Sequence, residues 1–314
     1  MKKMKKILAW SGLILFLLVV TLAIVTASRQ NLKYSAPYPD IKASTDSGII
    51  ARGKHLVFDV AHCSGCHTTA NTDSLLKLGQ EVPLSGGVVF SFPVGDIYSM
   101  NITPDKETGI GKYTDAEIAR ALYYGVHPDG SPVYNFMPFH NASKEDMTAI
   151  ISYLRSQKPV RNEVPKNHLT ILGNLVKAFM VKPVGPAGPI PGSIKPDSTA
   201  AYGKYLATSL ADCNGCHTRR NISGDFVGEP FAGGGPMERK GLSPVTPPNL
   251  TPDSSGRIFN WSQRSFIERF RMGKLVPHSP MHWNAFGRMT DDELKAIYKF
   301  LKTVTPARTL PVKQ

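Results

Sequence analysis

Three patterns of apolar and polar residues organise the chain. The first is an unbroken apolar run from Ile7 to Ala27, without a charge, preceded by Lys2, Lys3, Lys5 and Lys6. As a helix rising about 1.5 Å per residue, such a run crosses a hydrocarbon core of about 30 Å. Its basic leading flank puts the N-terminus in the cytoplasm and everything after Ser28 across the membrane. A cleaved signal peptide is the other reading, because Val25 and Ala27 satisfy the small-residue rule for cleavage before Ser28. The run exceeds the apolar core of a usual signal, which favours an anchor over residues 1–27. Either reading exports the remainder.

The second pattern is helical amphipathicity behind capping signals. Thr114-Asp-Ala-Glu117 and Thr290-Asp-Asp-Glu293 have the form of capping boxes, in which hydroxyl and carboxylate satisfy orphan backbone N–H groups; Ser143-Lys-Glu-Asp146 is a weaker version. Apolar residues then fall at helical spacing, as in Met147, Ile150, Ile151 and Leu154, or Leu294, Ile297, Phe300 and Leu301. Leu169, Leu172, Leu175, Val176 and Phe179 predict a further amphipathic helix, expected to pack between domains. Strand-like alternation is scarce, and 27 Gly with 25 Pro point to long loops. These signals predict an all-α fold.

The third pattern is an internal repeat. Arg52-Gly-Lys-His-Leu-Val-Phe-Asp-Val-Ala-His-Cys-Ser-Gly-Cys-His67 lies over Tyr202-Gly-Lys-Tyr-Leu-Ala-Thr-Ser-Leu-Ala-Asp-Cys-Asn-Gly-Cys-His217. Asn101-Ile-Thr-Pro-Asp105 returns as Asn249-Leu-Thr-Pro-Asp253, and Asp146–Leu154 as Glu293–Leu301. Three blocks in the same order predict two homologous domains. The boundaries are a linker over 28–45, domains over 46–160 and 196–310, and an interdomain segment over 161–195.

The net charge of +13 includes the four leading lysines, and the exported part remains basic. An acidic partner surface and a plain solvated basic surface account for it equally. Nucleic-acid binding is not expected, because the charge is spread along the chain without a binding motif.

All four cysteines fall in two Cys-x-x-Cys-His pentads, Cys63, Cys66, His67 and Cys213, Cys216, His217. On a helical turn these positions share a face, so two thiols can add to one porphyrin while the imidazole reaches its iron. The pentads predict two covalently bound haems. A zinc ribbon would bring its cysteine pairs much closer in sequence, and a dithiol oxidoreductase would need a βαβ context. Disulfides are the remaining structural alternative in an exported chain.

A sixth iron ligand separates a carrier from an enzyme. Met137 and Met281 are the best candidates, each in a Pro- and aromatic-rich loop before a capped last helix. His140, His278 and His282 compete with them, and Met100 less so. Met147, Met180, Met237, Met272 and Met289 are expected in the core. The Asn-x-Thr-Pro-Asp loops are expected to offer donors to haem propionates, with Asx turns as the alternative.

Together these blocks resemble the class I cytochrome c family, and more closely the dihaem cytochromes related to cytochrome subunits of bacterial membrane-bound alcohol, aldehyde and gluconate-type dehydrogenases. Gly53-Lys54 and Gly203-Lys204 before the pentads, Asn101–Gly111 followed by Tyr113–Glu117, and Met137-Pro-Phe139 followed by Lys144–Arg155 carry the resemblance. It implies two tandem class I cytochrome c domains behind one N-terminal transmembrane helix. By the same resemblance Cys63, Cys66, Cys213 and Cys216 are thioether sites, His67 and His217 proximal ligands, and Met137 and Met281 distal ligands.

The expected role is that of an electron carrier, not an enzyme. A periplasmic dehydrogenase or respiratory complex would donate electrons, and a cytochrome or terminal oxidase would accept them, at the outer face of a bacterial inner membrane. A dihaem peroxidase would need one iron with an exchangeable ligand, and a haem-based sensor would need a signalling partner.

Overall fold

The computed structural model describes residues 2–309 apart from 138, 222–223, 240–241 and 277. Helix α1, Lys2–Ser28, is apolar on every side and buries none of its residues against the rest of the protein. From Ile7 onward it is long and apolar enough to cross a membrane, by length and composition.

The first half contains α2 (Ser47–His55), α3 (Ser64–His67), α4 (Thr72–Lys77), the strands β1 (Val89–Phe92) and β2 (Gly95–Tyr98), α5 (Asp115–Tyr124) and α6 (Lys144–Ser156). Strand β3 (His168–Leu169) and helix α7 (Ile171–Phe179) follow. The second half contains α8 (Ala200–Tyr205), α9 (Cys213–His217), β4 (Met237–Arg239), β5 (Leu242–Val245), α10 (Gln263–Arg271), α11 (Trp283–Phe286) and α12 (Asp291–Leu301).

The chain is helix-rich, but it is not purely helical as the sequence patterns predict. An antiparallel hairpin, with Val89 opposite Tyr98 and Phe92 opposite Gly95, pairs its second strand with β3; β4 and β5 form a second hairpin at the matching place in the repeat. Four-residue strands are too short to show a period of two, so the apolar pattern did not reveal them.

In each half the first helix crosses the last at a glycine. A Cβ on Gly53 would lie 1.9 Å from the Ala149 carbonyl oxygen, and one on Gly203 would lie 1.9 Å from that of Ala296. Only glycine allows these backbones to approach so closely. The crossings bury the predicted apolar stripes: Met147, Ile150, Ile151 and Leu154 of α6, and Leu294, Ile297, Phe300 and Leu301 of α12. Both capping boxes are formed, Thr114 with Glu117 and Thr290 with Glu293, and Ser143 caps α6.

Immediately after α2 and α8 the helix widens by one residue. The Ala61 amide donates to the Leu56 carbonyl at 2.6 Å and the Ala211 amide to the Leu206 carbonyl at 2.8 Å, both spanning five residues. The halves interlock on these wide turns, with α11 resting on 56–60 and the turn Phe139–Asn141 on 206–210. Helix α7 does not pack between the halves as expected. It sits on the exit end of α1 and beside β3. Met147 and Met289 are core residues, whereas Met180 and Met272 are exposed, against the expectation for both.

Candidate functional site

Each pentad is positioned by the wide turn before it and by one residue in left-handed backbone, His62 at φ 43° and Asp212 at φ 47°. A non-glycine residue in that region carries strain that the surrounding packing must offset. The pentads then close as short helical turns, α3 and α9, in which the amide of Cys66 reaches back to the Cys63 carbonyl and that of Thr218 to the Asn214 carbonyl.

The decisive geometry is at the two histidines. His67 Nδ1 lies 2.8 Å from the Met100 carbonyl oxygen and His217 Nδ1 lies 2.7 Å from that of Pro248. A carbonyl oxygen has no proton to give, so each Nδ1 must be the donor. The neutral ring then carries its lone pair on Nε2, the atom left for a metal. Burial pushes both imidazoles below their usual value, which keeps them neutral. Met100 and Pro248 are counterparts in the repeat, and a backbone acceptor tolerates any side chain at its position.

None of the four cysteines is paired in a disulfide. Burial, with smaller contributions from neighbouring charges, pushes Cys63 and Cys213 up to about 12. Among the described residues no group of three or more His, Cys, Asp or Glu side chains is arranged to hold a metal ion. The donor set thus fits a porphyrin that is attached through sulfur and bound axially by one imidazole, and does not fit a metal held by protein ligands alone.

Met137 and Met281 are half-buried against the hydrophobic core. The Met281 loop is fixed by Ser279, whose Oγ accepts from the Trp283 indole at 3.2 Å and from the Met281 amide at 3.3 Å. It lines a cleft of about 270 Å³ whose opposite wall includes Ser64 and Gly65 of the first pentad. Of the competing histidines, His140 donates through Nδ1 to the Tyr123 carbonyl at 2.9 Å, the same kind of bond that His67 and His217 make, and the His282 ring lies against His62 with centroids 4.1 Å apart.

The Asn-x-Thr-Pro-Asp loops have a structural job that the sequence does not reveal. Asn101 Oδ1 accepts from the Thr103 amide and hydroxyl, and its Nδ2 donates to the Val160 carbonyl at 2.8 Å. Asn249 accepts from the Thr251 amide and donates to the Ala307 carbonyl at 2.7 Å. These buried groups tie each loop to the chain that follows the last helix, and the bonds from Asn101 to Thr103 and from Asn249 to Thr251 are those of the Asx turns of the alternative reading.

Residues 50–158 match the family model for cytochrome c. The chain carries a cytochrome c domain. A haem held through a Cys-x-x-Cys-His segment is therefore its cofactor, and reversible one-electron transfer is the chemistry of such a domain. The cytochrome c subunit of a quinone alcohol dehydrogenase from Gluconacetobacter polyoxogenes is 32% identical over 286 residues, covering 83% of this chain and 57% of that protein. The fructose dehydrogenase cytochrome subunit of Gluconobacter japonicus is 28% identical, covering 92% of this chain and 59% of its own length. The chain thus spans somewhat more than half of these relatives. A dihaem cytochrome c-type protein of Cereibacter sphaeroides is 28% identical, with 82% of this chain and 86% of that protein aligned.

Proposed function

We propose that this cytochrome is a membrane-anchored dihaem electron carrier. The duplicated histidine-to-carbonyl geometry is the observation that carries this reading, since it prepares one Nε2 in each half for iron. Cys63, Cys66 and His67 would hold the first haem, and Cys213, Cys216 and His217 the second, one in each of two tandem cytochrome c domains over 46–160 and 196–310. Met137 and Met281 would be the distal ligands. Thioether sulfur is a soft ligand that favours ferrous iron, so Met/His ligation raises the reduction potential and leaves little room for a substrate.

Bound haem supplies a reversible one-electron couple. The protein's own groups tune it through axial ligand, burial and hydrogen bonding, and perform no bond chemistry. Helix α1 would hold the haem domains at the periplasmic face of the inner membrane. The relatives named above support a dehydrogenase as the electron donor. A cytochrome or terminal oxidase would be the acceptor.

The test is a redox titration with low-temperature spectra of Met137→Ala and Met281→Ala proteins. Each variant is expected to lose the sulfur-to-iron charge-transfer signal of one haem. An unchanged spectrum in either refutes that ligand.

A further inference from the structure

Helix α7 and the residues that follow it leave several apolar side chains exposed. Ile171 is 84% exposed, and Leu172, Phe179, Met180 and Val184 are exposed as well. Its buried positions, Gly173 and Ala178, are the small ones that touch the protein. A Cβ on Gly173 would lie 1.9 Å from the Val94 carbonyl oxygen, so the helix is pressed against the turn of the first hairpin. The same turn bonds the helix start, the Thr170 amide donating to the Val94 carbonyl at 3.1 Å.

What covers the exposed face follows from where α7 is clamped. Arg29 Nε donates to the Ala178 carbonyl at 2.8 Å, and Gln30 Nε2 to the Asn174 carbonyl at 2.9 Å. These are the two residues that immediately follow α1, and the Arg29 guanidinium also lies over the Phe179 ring, 5.4 Å from its centroid. If Ile7–Ala27 fills the hydrocarbon core, α7 lies within about one helical turn of its far boundary, inside the headgroup zone. Lys177 and Lys182 flank the apolar residues, the arrangement of a helix lying in an interface with its cationic groups among phosphates.

We infer that α7 is an interfacial membrane helix, seating Ile171 and Leu172 in the outer leaflet of the bilayer that α1 crosses and placing Lys177 and Lys182 against anionic headgroups. This rests on the reading of α1 as a membrane span. The docking also orients the first half. The hairpin turn held by α7 follows Phe92, which stacks on Phe136 with centroids 5.7 Å apart, and Phe136 directly precedes Met137.

The experiment uses full-length holoprotein in vesicles of phosphatidylethanolamine and phosphatidylglycerol. Single spin labels are placed through Ile171→Cys, Leu15→Cys and Lys295→Cys, with haem content per chain checked for each. Collision with oxygen, which enriches in lipid, is compared with collision with a neutral nickel chelate, which stays in water. The expected result is loss of nickel collision at 171 relative to 295, weakened when Lys177→Glu and Lys182→Glu are added.

A label at 171 as open to nickel as that at 295, with the label at 15 protected, overturns the inference and leaves the anchor intact; a protein partner would then be the cover for α7. Open labels at both 171 and 15 overturn the anchor and the inference together. Protection at 171 with an open label at 15 refutes the span on which the inference rests and so overturns the inference as stated.

Discussion

His55 and Glu293 meet across the two halves, Nε2 to Oε1 at 2.9 Å, and Tyr205, which stands in the place of His55 in the repeat, makes the matching bond to Asp146 at 2.7 Å. Each carboxylate belongs to the first turn of its half's last helix. Each is therefore approached by a side chain from the opposite half, and duplication of the sequence has produced a reciprocal joint. Arg288 reinforces one side, bonding Asp59 at 2.6 Å, Asp73 at 2.8 Å and the Phe58 carbonyl at 3.1 Å.

This joint predicts a pH dependence. Burial lowers the affinity of His55 for its proton, but hydrogen bonds and charge from Asp59 and Glu293 outweigh it and raise the imidazole to about 9. A group held above its unfolded value of about 6.5 contributes its full stability below that pH and loses it as pH rises through 9. Unfolding by urea should therefore show stability falling between about pH 6.5 and 9. His55→Gln should be less stable at pH 6 and should lack that fall.

The helix crossings predict a sharp contrast between glycines. Gly203→Ala forces a methyl group into the Ala296 carbonyl and should cost about 1–3 kcal/mol, as overpacked sites do. Gly188 has nothing within 4 Å of the same position, so Gly188→Ala should leave the urea midpoint unchanged.

Asn249→Ala removes a buried amide bonded to both Thr251 and Ala307. Leaving those partners unsatisfied should cost about 1–3 kcal/mol. The Ala307 amide, which donates to Thr251 Oγ1 at 3.2 Å, should exchange with deuterium faster than in the parent protein.

The proposal of two attachment sites predicts a stoichiometry. The alkaline pyridine spectrum should report two haems per chain, and Cys213→Ala combined with Cys216→Ala should leave one covalently bound. Retention of both would refute the second site.

Much of the site is legible in the sequence because its chemistry is local. The pentads, the capping boxes and the apolar stripes of α6 and α12 each depend on residues within a turn or two of one another. The tautomer of His67 was not legible, because its partner is a carbonyl contributed by Met100, and a backbone atom leaves no trace in residue type. The hairpins were hidden by their brevity. The distant partners of Asn101 and Asn249 were not legible for a related reason: Val160 and Ala307 accept through backbone carbonyls, which residue type does not report. The contact of α7 with Arg29 and Gln30 joins segments far apart in the chain, which periodicity cannot report.

The seating of α11 on the wide turn 56–60 has a bearing on biosynthesis. Leu56, Val57 and Val60 are sealed in the finished protein, yet α11 leaves the ribosome long after the first pentad. During that interval the earlier copy carries an apolar turn without its final cover. A nascent chain interrupted before Trp283 would keep that surface open to aggregation and proteolysis.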